Sequence, residues 1–289
     1  MDISYFKEIS KFRNVTYYDT GHFYYIGDKQ VISVTGLIER FKTKFDTEEK
    51  LKKYGKKADE IREEWLYKNR HAVYEGRLVH RFLENRMMNK VMDDDDGGNE
   101  HLKYNDVKDT YLIMKVQANS FYEKYIKTGI LIPVSVELVV GSIELELAGQ
   151  MDVLFYNTQV EALQVWDYKT NGKIETISQY GDRMLHCLSH LDVCEMNTYS
   201  IQTHVYRHLI MKETNLNIHL DTYIVWFNEN NDDFKVIKCF DARKEVEDML
   251  NFKNNNPDMF QPYLQEKPFD QPIKKPVSFE GLLNLENYI

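Results

Sequence analysis

The feature that most constrains this chain is a pair of apolar-rich runs, Leu145 to Asn157 and Val160 to Lys169, separated by polar turn residues. Runs of that length with such a break read as a β-hairpin. Opposed residues of an antiparallel pair keep a constant index sum, so a turn centred between Gln159 and Val160 sets Asp152 opposite Asp167. Opposed Cβ atoms lie roughly 5 Å apart, close enough for two carboxylates to share one cation. Side chains alternate along a strand. Asp167 and Lys169 therefore point one way and Tyr168 the other, while Met151, Val153 and Phe155 take the face opposite Asp152. Two acids and a lysine so placed suit a divalent-metal site for cutting phosphodiester bonds.

The rest of the chain is read around that hairpin. With 289 residues, 43% of them hydrophobic, it has enough apolar material for one large domain with extensions. No run of about 18 apolar residues predicts a membrane helix, and the N-terminus lacks the basic-then-apolar pattern of a secretory signal. Cys187, Cys194 and Cys239 have no metal-ligand spacing, and their odd number fits a reducing, intracellular compartment. A net charge of −9 argues against a general nucleic-acid coating protein but not against a nuclease, since a local basic patch can still bind phosphate.

Three segments are expected. Residues 1–70 form a hairpin and charged helices of the same domain, 71–253 the core, and 254–289 a tail. The first holds a hairpin over Phe23–Ile26 and Val31–Val34, with Thr35 as a helix cap. Residues 47–70 are charged and helical, and their Lys52, Lys53, Lys56 and Lys57 read as a solvated face ahead of a DNA contact surface. In the core, His71 to Met88 and Asp106 to Thr128 are helices, the latter ended by Gly129; Ile132 to Val140 is a strand, and Glu195 to Met211 a third helix. Thr222–Phe227 and Phe234–Phe240 pair, and Asp241 caps a short helix ending near Lys253. Asp93–Asp96 with Gly97-Gly98 is an acidic loop without chemistry. Five of the six prolines lie beyond Asn256, predicting an extended tail that offers a docking point for a protein partner.

Helical spacing places Val73, Gly76, His80, Leu83, Glu84 and Met87 on one face. A lone histidine there is commonly a packing residue. A neutral imidazole beside two carboxylates also suits Mn²⁺ and tolerates Mg²⁺, and the hairpin favours that reading. Tyr199, Gln202 and Tyr206 form a stripe along the third helix: either a tyrosine edge of the core, or groups bonding phosphate and stacking bases. Glu137, an acid in an otherwise apolar strand, either faces solvent or supports the site.

In order along the chain, four elements carry a resemblance: Gly76…His80…Glu84, Gly149-Gln150-Met151-Asp152, Asp167-Tyr168-Lys169-Thr170 and Gln202-Thr203-His204-Val205-Tyr206. They resemble the PD-(D/E)XK nuclease superfamily in its RecB-like exonuclease branch, over about residues 70–250. Met151 stands where that signature has Pro, and Asp167 replaces Glu with a shorter reach. The Val31–Thr35 stretch is similar to phage-encoded members.

The resemblance implies an α/β fold with a restriction-endonuclease-like core, a mixed β-sheet flanked by helices. It implies His80, Asp152, Asp167 and the Tyr168 carbonyl as ligands of Mg²⁺ or Mn²⁺. Lys169 would position water or offset charge, Gln202 and Tyr206 would border the site, and Glu84 and Glu137 would support the ligands from behind. Three cysteines do not supply the four-cysteine iron–sulfur cluster of some relatives. The expected activity is a metal-dependent DNA exonuclease acting on single strands or duplex ends. It would work inside the cell (in the host cytoplasm if viral), in replication, recombination or genome processing. The rival expectations are a non-catalytic DNA-end-binding or assembly protein on the same fold, and a structure-specific endonuclease.

Overall fold

Strand Leu147–Asn157 is the axis of the molecule. The computed structural model describes residues 4–18, 22–43, 51–52, 54–90, 94 and 102–262. Its helices are α1 (Ser4–Ile9), α2 (Val34–Glu39), α3 (Ala58–Met87), α4 (Tyr104–Phe121), α5 (Glu195–Glu213) and α6 (Arg243–Asn255). Its strands are β1 (Val15–Tyr18), β2 (Phe23–Ile26), β3 (Lys29–Ser33), β4 (Leu131–Ser142), β5 (Leu147–Asn157), β6 (Ala162–Lys169), β7 (Tyr223–Trp226) and β8 (Lys235–Lys238). They make one mixed sheet in the order β1-β2-β3-β5-β6-β7-β8, with β4 also on β5. Pairing is parallel for β3–β5 and β6–β7 and antiparallel elsewhere.

β4 covers one edge of β5 from Leu131↔Asn157 to Ser142↔Leu147. β6 and β3 must therefore share the other edge. β6 holds it from Asn157↔Ala162 to Val153↔Trp166, and β3 takes it at Leu147 and Ala148. Gly149–Asp152 lie between them with no strand on that edge. The β5–β6 index sum is the one expected, so Asp152 and Asp167 would form the next pair beyond Val153↔Trp166.

Helices cover both faces. Leu78, Phe82 and Leu83 of α3 and Tyr111, Met114 and Phe121 of α4 pack with Val153, Phe155, Trp166 and Tyr168. On the other side Leu37 of α2, Ile201, Val205 and Leu209 of α5 and Val246 of α6 pack with Met151, Leu154 and Val165. This is the α/β architecture expected from the sequence: a mixed sheet flanked by helices.

Several local expectations are corrected. The helices expected over 47–70 and 71–88 are one helix from Ala58 onward, because no proline and only Gly76 interrupts that stretch. A change from charged to amphipathic composition alters what a helix faces, not whether it continues. Nothing is buried from Ala58 to Val73, and Val73 itself is 66% exposed; the packed stripe starts at Tyr74 and runs through Leu78, Phe82 and Met87. Lys52, Lys56 and Lys57 are exposed, while Lys53 lies outside the described residues. Ser33, not Thr35, caps α2, accepting the Gly36 N–H at 2.9 Å. Asp241 accepts the Arg243 N–H at 3.2 Å, but α6 begins at Arg243 behind Ala242 without a side-chain cap. Asp94 of the acidic loop is an anchor: its carboxylate accepts the Tyr111 hydroxyl at 2.8 Å and pairs with Lys115. The other loop acids, with Gly97 and Gly98, lie outside the described residues, as do 263–289 of the expected tail.

Candidate metal centre

A backbone N–H that loses its strand partner needs another acceptor. Past Val153↔Trp166 the β5–β6 ladder stops, and the Tyr168 N–H donates to Asp152 Oδ2 at 2.6 Å instead. That bond fixes the carboxylate at the open edge of β5. On the β4 side the facing region also departs from regular strand. Glu137 sits at φ +52°, between Val136↔Val153 and Leu138↔Met151. A bulky residue in that conformation is strained, and such strain concentrates at functional sites. The expected alternation of faces breaks at this point. Val153 and Phe155 join the core under α3 and α4, as expected, but Met151 packs with the opposite core.

α3 brings the third group. A Cβ on Gly76 would lie 3.0 Å from Thr170 Oγ1, so the missing side chain lets α3 close onto the chain leaving β6. One turn later His80 Nδ1 lies 3.2 Å from Asp152 Oδ1 and 4.0 Å from Glu137 Oε1. Single ligand atoms of His80, Glu137 and Asp152 all lie within 4.8 Å of one another. Neighbouring ligands of an octahedral Mg²⁺ are about 3 Å apart, close to the His80–Asp152 separation. One imidazole and two carboxylates form a donor set that fits Mg²⁺ or Mn²⁺. The Gln150 amide donates to Glu137 Oε2 from the neighbouring strand.

Asp167 stands beside this group rather than in it. It is buried, and its Oδ2 pairs with the Lys169 ammonium, yet no well-formed hydrogen bond reaches that oxygen among the described residues. A buried carboxylate oxygen left in that state has capacity for a further cationic partner. Lys169 Nζ also lies 3.5 Å from Gln202 Oε1 and 4.6 Å from the centroid of the Tyr199 ring. Gln202 in turn donates to the Tyr206 hydroxyl at 3.1 Å. Tyr206 is buried, and a Cβ on Gly149 would come within 2.8 Å of both its Cε1 and Val34 Cγ2. That glycine therefore lets α5 and α2 both pack against β5. Glu84 is not brought in; it pairs with Lys90 at 3.6 Å.

Burial alone would push His80 down. The charge and hydrogen bond of Asp152, with the charges of Glu137 and Asp167, outweigh it and bring the imidazole up to about 9. Burial pushes Asp167 up, and the Asp152 charge adds to this against Lys169 and His80, leaving it at about 6. Asp152 is buried too, but His80, Lys169 and the Tyr168 N–H hold it below the usual carboxylate range. Lys169 is raised despite its burial, because Asp167 and Asp152 face it.

The group opens into a cleft of about 410 Å³ lined by Glu137, Gly149, Gln150, Asp152, Gln202 and Tyr206. Its other wall is Tyr17, His22 and Tyr24 of the β1–β2 hairpin with Ser33, Val34 and Thr35 at the start of α2. Tyr17 and Tyr24 stack at 4.8 Å, and the Tyr17 hydroxyl bonds His22 Nδ1 at 2.8 Å. Reading the sequence for acids and bases does not find this wall. Val15-Thr16-Tyr17-Tyr18, four strand-favouring residues just before the expected hairpin, is the signal that would have added β1.

No family model and no curated protein matches the chain. Among solved structures, it is similar to a protein of Eubacterium rectale provisionally described as an exonuclease. That match has 15% identity over 76% of this chain and 80% of that one, with a TM-score of 0.39.

Proposed function

We propose that this protein is a divalent-metal-dependent nuclease that hydrolyses phosphodiester bonds of DNA, working as an exonuclease from single-stranded or duplex ends. One observation carries the reading. His80, Glu137 and Asp152 converge from three elements where β5 is paired on one edge only, with Asp167 and Lys169 beside them and a cleft leading in. The sequence resemblance supports the same assignment through the order of the four motifs. His80, Asp152 and Glu137, with Asp167 adjacent, would hold Mg²⁺ or Mn²⁺; the Tyr168 carbonyl is a further ligand by the resemblance alone. The cation, when bound, polarises the scissile phosphate and makes an attacking water more acidic. It would also offset the burial of Asp167 and the charge of Asp152, which together lift that carboxyl.

The protein's own groups supply the rest. Lys169 presents a positive charge to the phosphate oxygens as charge builds on them, and it can orient the attacking water. Gln202 holds Lys169 from α5 and is itself held by Tyr206. The substrate would enter along the cleft, passing the Tyr17–His22–Tyr24 wall. No helix among the described residues is long and apolar enough to cross a membrane. An intracellular role in viral or cellular replication, recombination or genome processing fits a DNA-end nuclease. The expected tail is not extended over its first residues, where α6 runs to Asn255 and Phe260 is buried against Phe41 and Phe252, so the proposed docking point for a protein partner is the part beyond residue 262.

The test uses linear DNA labelled at each end, single- and double-stranded, beside closed circular single strands. Mg²⁺ or Mn²⁺ should support progressive shortening from an end, and EDTA should stop it. Cleavage of the circles would make the protein an endonuclease. Stoichiometric DNA-end binding without cleavage would favour the non-catalytic reading, and full activity in Asp167→Ala and Lys169→Ala would remove the assignment of the site.

A further inference from the structure

The lysine of the site rests on an aromatic ring. Lys169 Nζ has Asp167 on one side, Gln202 Oε1 at 3.5 Å on another, and the Tyr199 ring centroid at 4.6 Å. A cation within about 6 Å of a ring face is attracted by the ring quadrupole, more strongly where water is excluded. The Lys169 side chain is only 16% exposed. Tyr199 and Gln202 lie three residues apart on one face of α5, so a single helix supplies both contacts.

From this geometry we infer that Tyr199 is a positioning residue: its ring face seats the Lys169 ammonium independently of Asp167. The inference rests on the nuclease reading above and deepens it. In the protein without metal, Asp167 is the closest partner of Lys169. A cation drawing on the Asp167 carboxylate weakens that pairing, and an exposed lysine would then swing away on its flexible stem. The ring and the Gln202 carbonyl oxygen do not change charge when a cation arrives. They keep the ammonium beside the reacting phosphate whether or not Asp167 is engaged. The ring is what matters, not the hydroxyl, which is directed to Asn171 in the chain leaving β6.

The experiment compares wild type with Tyr199→Phe, which keeps the ring and loses the hydroxyl, and Tyr199→Leu, which keeps bulk and loses the ring. In the metal-free protein the Lys169 ε-methylene protons should show an upfield ring-current shift by NMR. It should persist in Tyr199→Phe and vanish in Tyr199→Leu. In Mg²⁺, kcat on end-labelled DNA should fall on the order of tenfold or more in Tyr199→Leu, with KM and Mn²⁺ affinity little altered, and stay within about threefold of wild type in Tyr199→Phe. A Tyr199→Met variant replaces Tyr199→Leu if the latter does not fold.

An unshifted Lys169 in wild type, or equal losses in the Phe and Leu variants, would overturn the seat. So would a Leu variant as active as wild type. A wild-type protein that cleaves nothing with any metal overturns the nuclease reading instead, and the catalytic value of the seat with it, whatever the NMR shift shows.

Discussion

The two halves of β5 make different use of the same strand. From Val153 to Asn157 it is paired on both edges, by β4 and β6, and its side chains fill the cores on both faces. Phe155 is fully buried against Phe121 and Trp166, with ring centroids 6.5 and 5.9 Å away. From Gly149 to Asp152 the strand keeps only β4. There a carboxylate does the work of a backbone carbonyl for the Tyr168 N–H, the facing Glu137 has a left-handed backbone, and the charged groups crowd together. One half has a strand on each edge, with only the β4 bulge between Pro133 and Ser135 interrupting the register. In the other, side chains take over part of the pairing, and they arrive with charge.

That contrast predicts opposite outcomes for substitutions only a few residues apart. Asp152→Asn keeps an acceptor near the Tyr168 N–H but removes the charge from the ligand group. Cleavage should fall on the order of 10²–10³-fold or more, while the thermal midpoint moves little by comparison; steady-state kinetics and calorimetry together check this. Phe155→Ala should behave the other way round. Emptying that buried ring site should destabilise the fold by about 3–5 kcal/mol, read by urea unfolding, with Mn²⁺ affinity of the remaining folded protein preserved. If Phe155→Ala abolishes metal binding at full stability, the two halves are not separable.

What the sequence disclosed follows the same division. Asp152 opposite Asp167 was legible because antiparallel register is local arithmetic about one turn. His80 as a partner was legible only with the hairpin in hand, since helical spacing assigns it a face and not a neighbour. Glu137 was visible as an acid out of place, but its position beside His80 and Asp152 goes with a positive φ that no composition signals. The docking of β3 on the β6 side of β5 joins residues more than 100 positions apart, such as Ile32 and Leu147, and it decides where the open edge lies. No periodicity in either segment carries that information, so the Tyr17–His22–Tyr24 wall of the cleft was not anticipated.

Gly149 tests how closely the open half depends on its packing. Gly149→Ala would place a methyl 2.8 Å from both Tyr206 Cε1 and Val34 Cγ2. Such overpacking typically costs about 1–3 kcal/mol, and here it would push α5 away from β5. Gln202 would shift with α5, so kcat should fall as well as the thermal midpoint. A stability loss with unchanged kcat would mean that α5 does not hold the Lys169 neighbourhood in register.

The smallest expected effect sharpens the comparison by titration. His80 in the metal-free fold sits at about 9, above its unfolded value of 6.5. A raised base stabilises the folded state fully below the unfolded pKa and loses that contribution as pH rises through the folded one. Asp167, raised from 3.8 to about 6, favours the folded state most while protonated and disfavours it as pH climbs through that range. Both terms have the same sign, so the contribution of this pair to the stability of the metal-free fold should fall between about pH 4 and 9, against the opposite contribution of His204 and His208, which burial holds below their usual value. Asp152 opposes the pair only at lower pH, where its depressed pKa is crossed. A cation at His80 must displace the imidazole proton, because only neutral imidazole ligates. Titrating Mn²⁺ at pH 7.5 in two buffers of different ionisation enthalpy should therefore report release of close to one proton per site. His80→Gln should remove that release and flatten the alkaline part of the stability profile. Binding without proton release would mean that His80 remains an ion-pair partner of Asp152 and that the carboxylates alone take the metal.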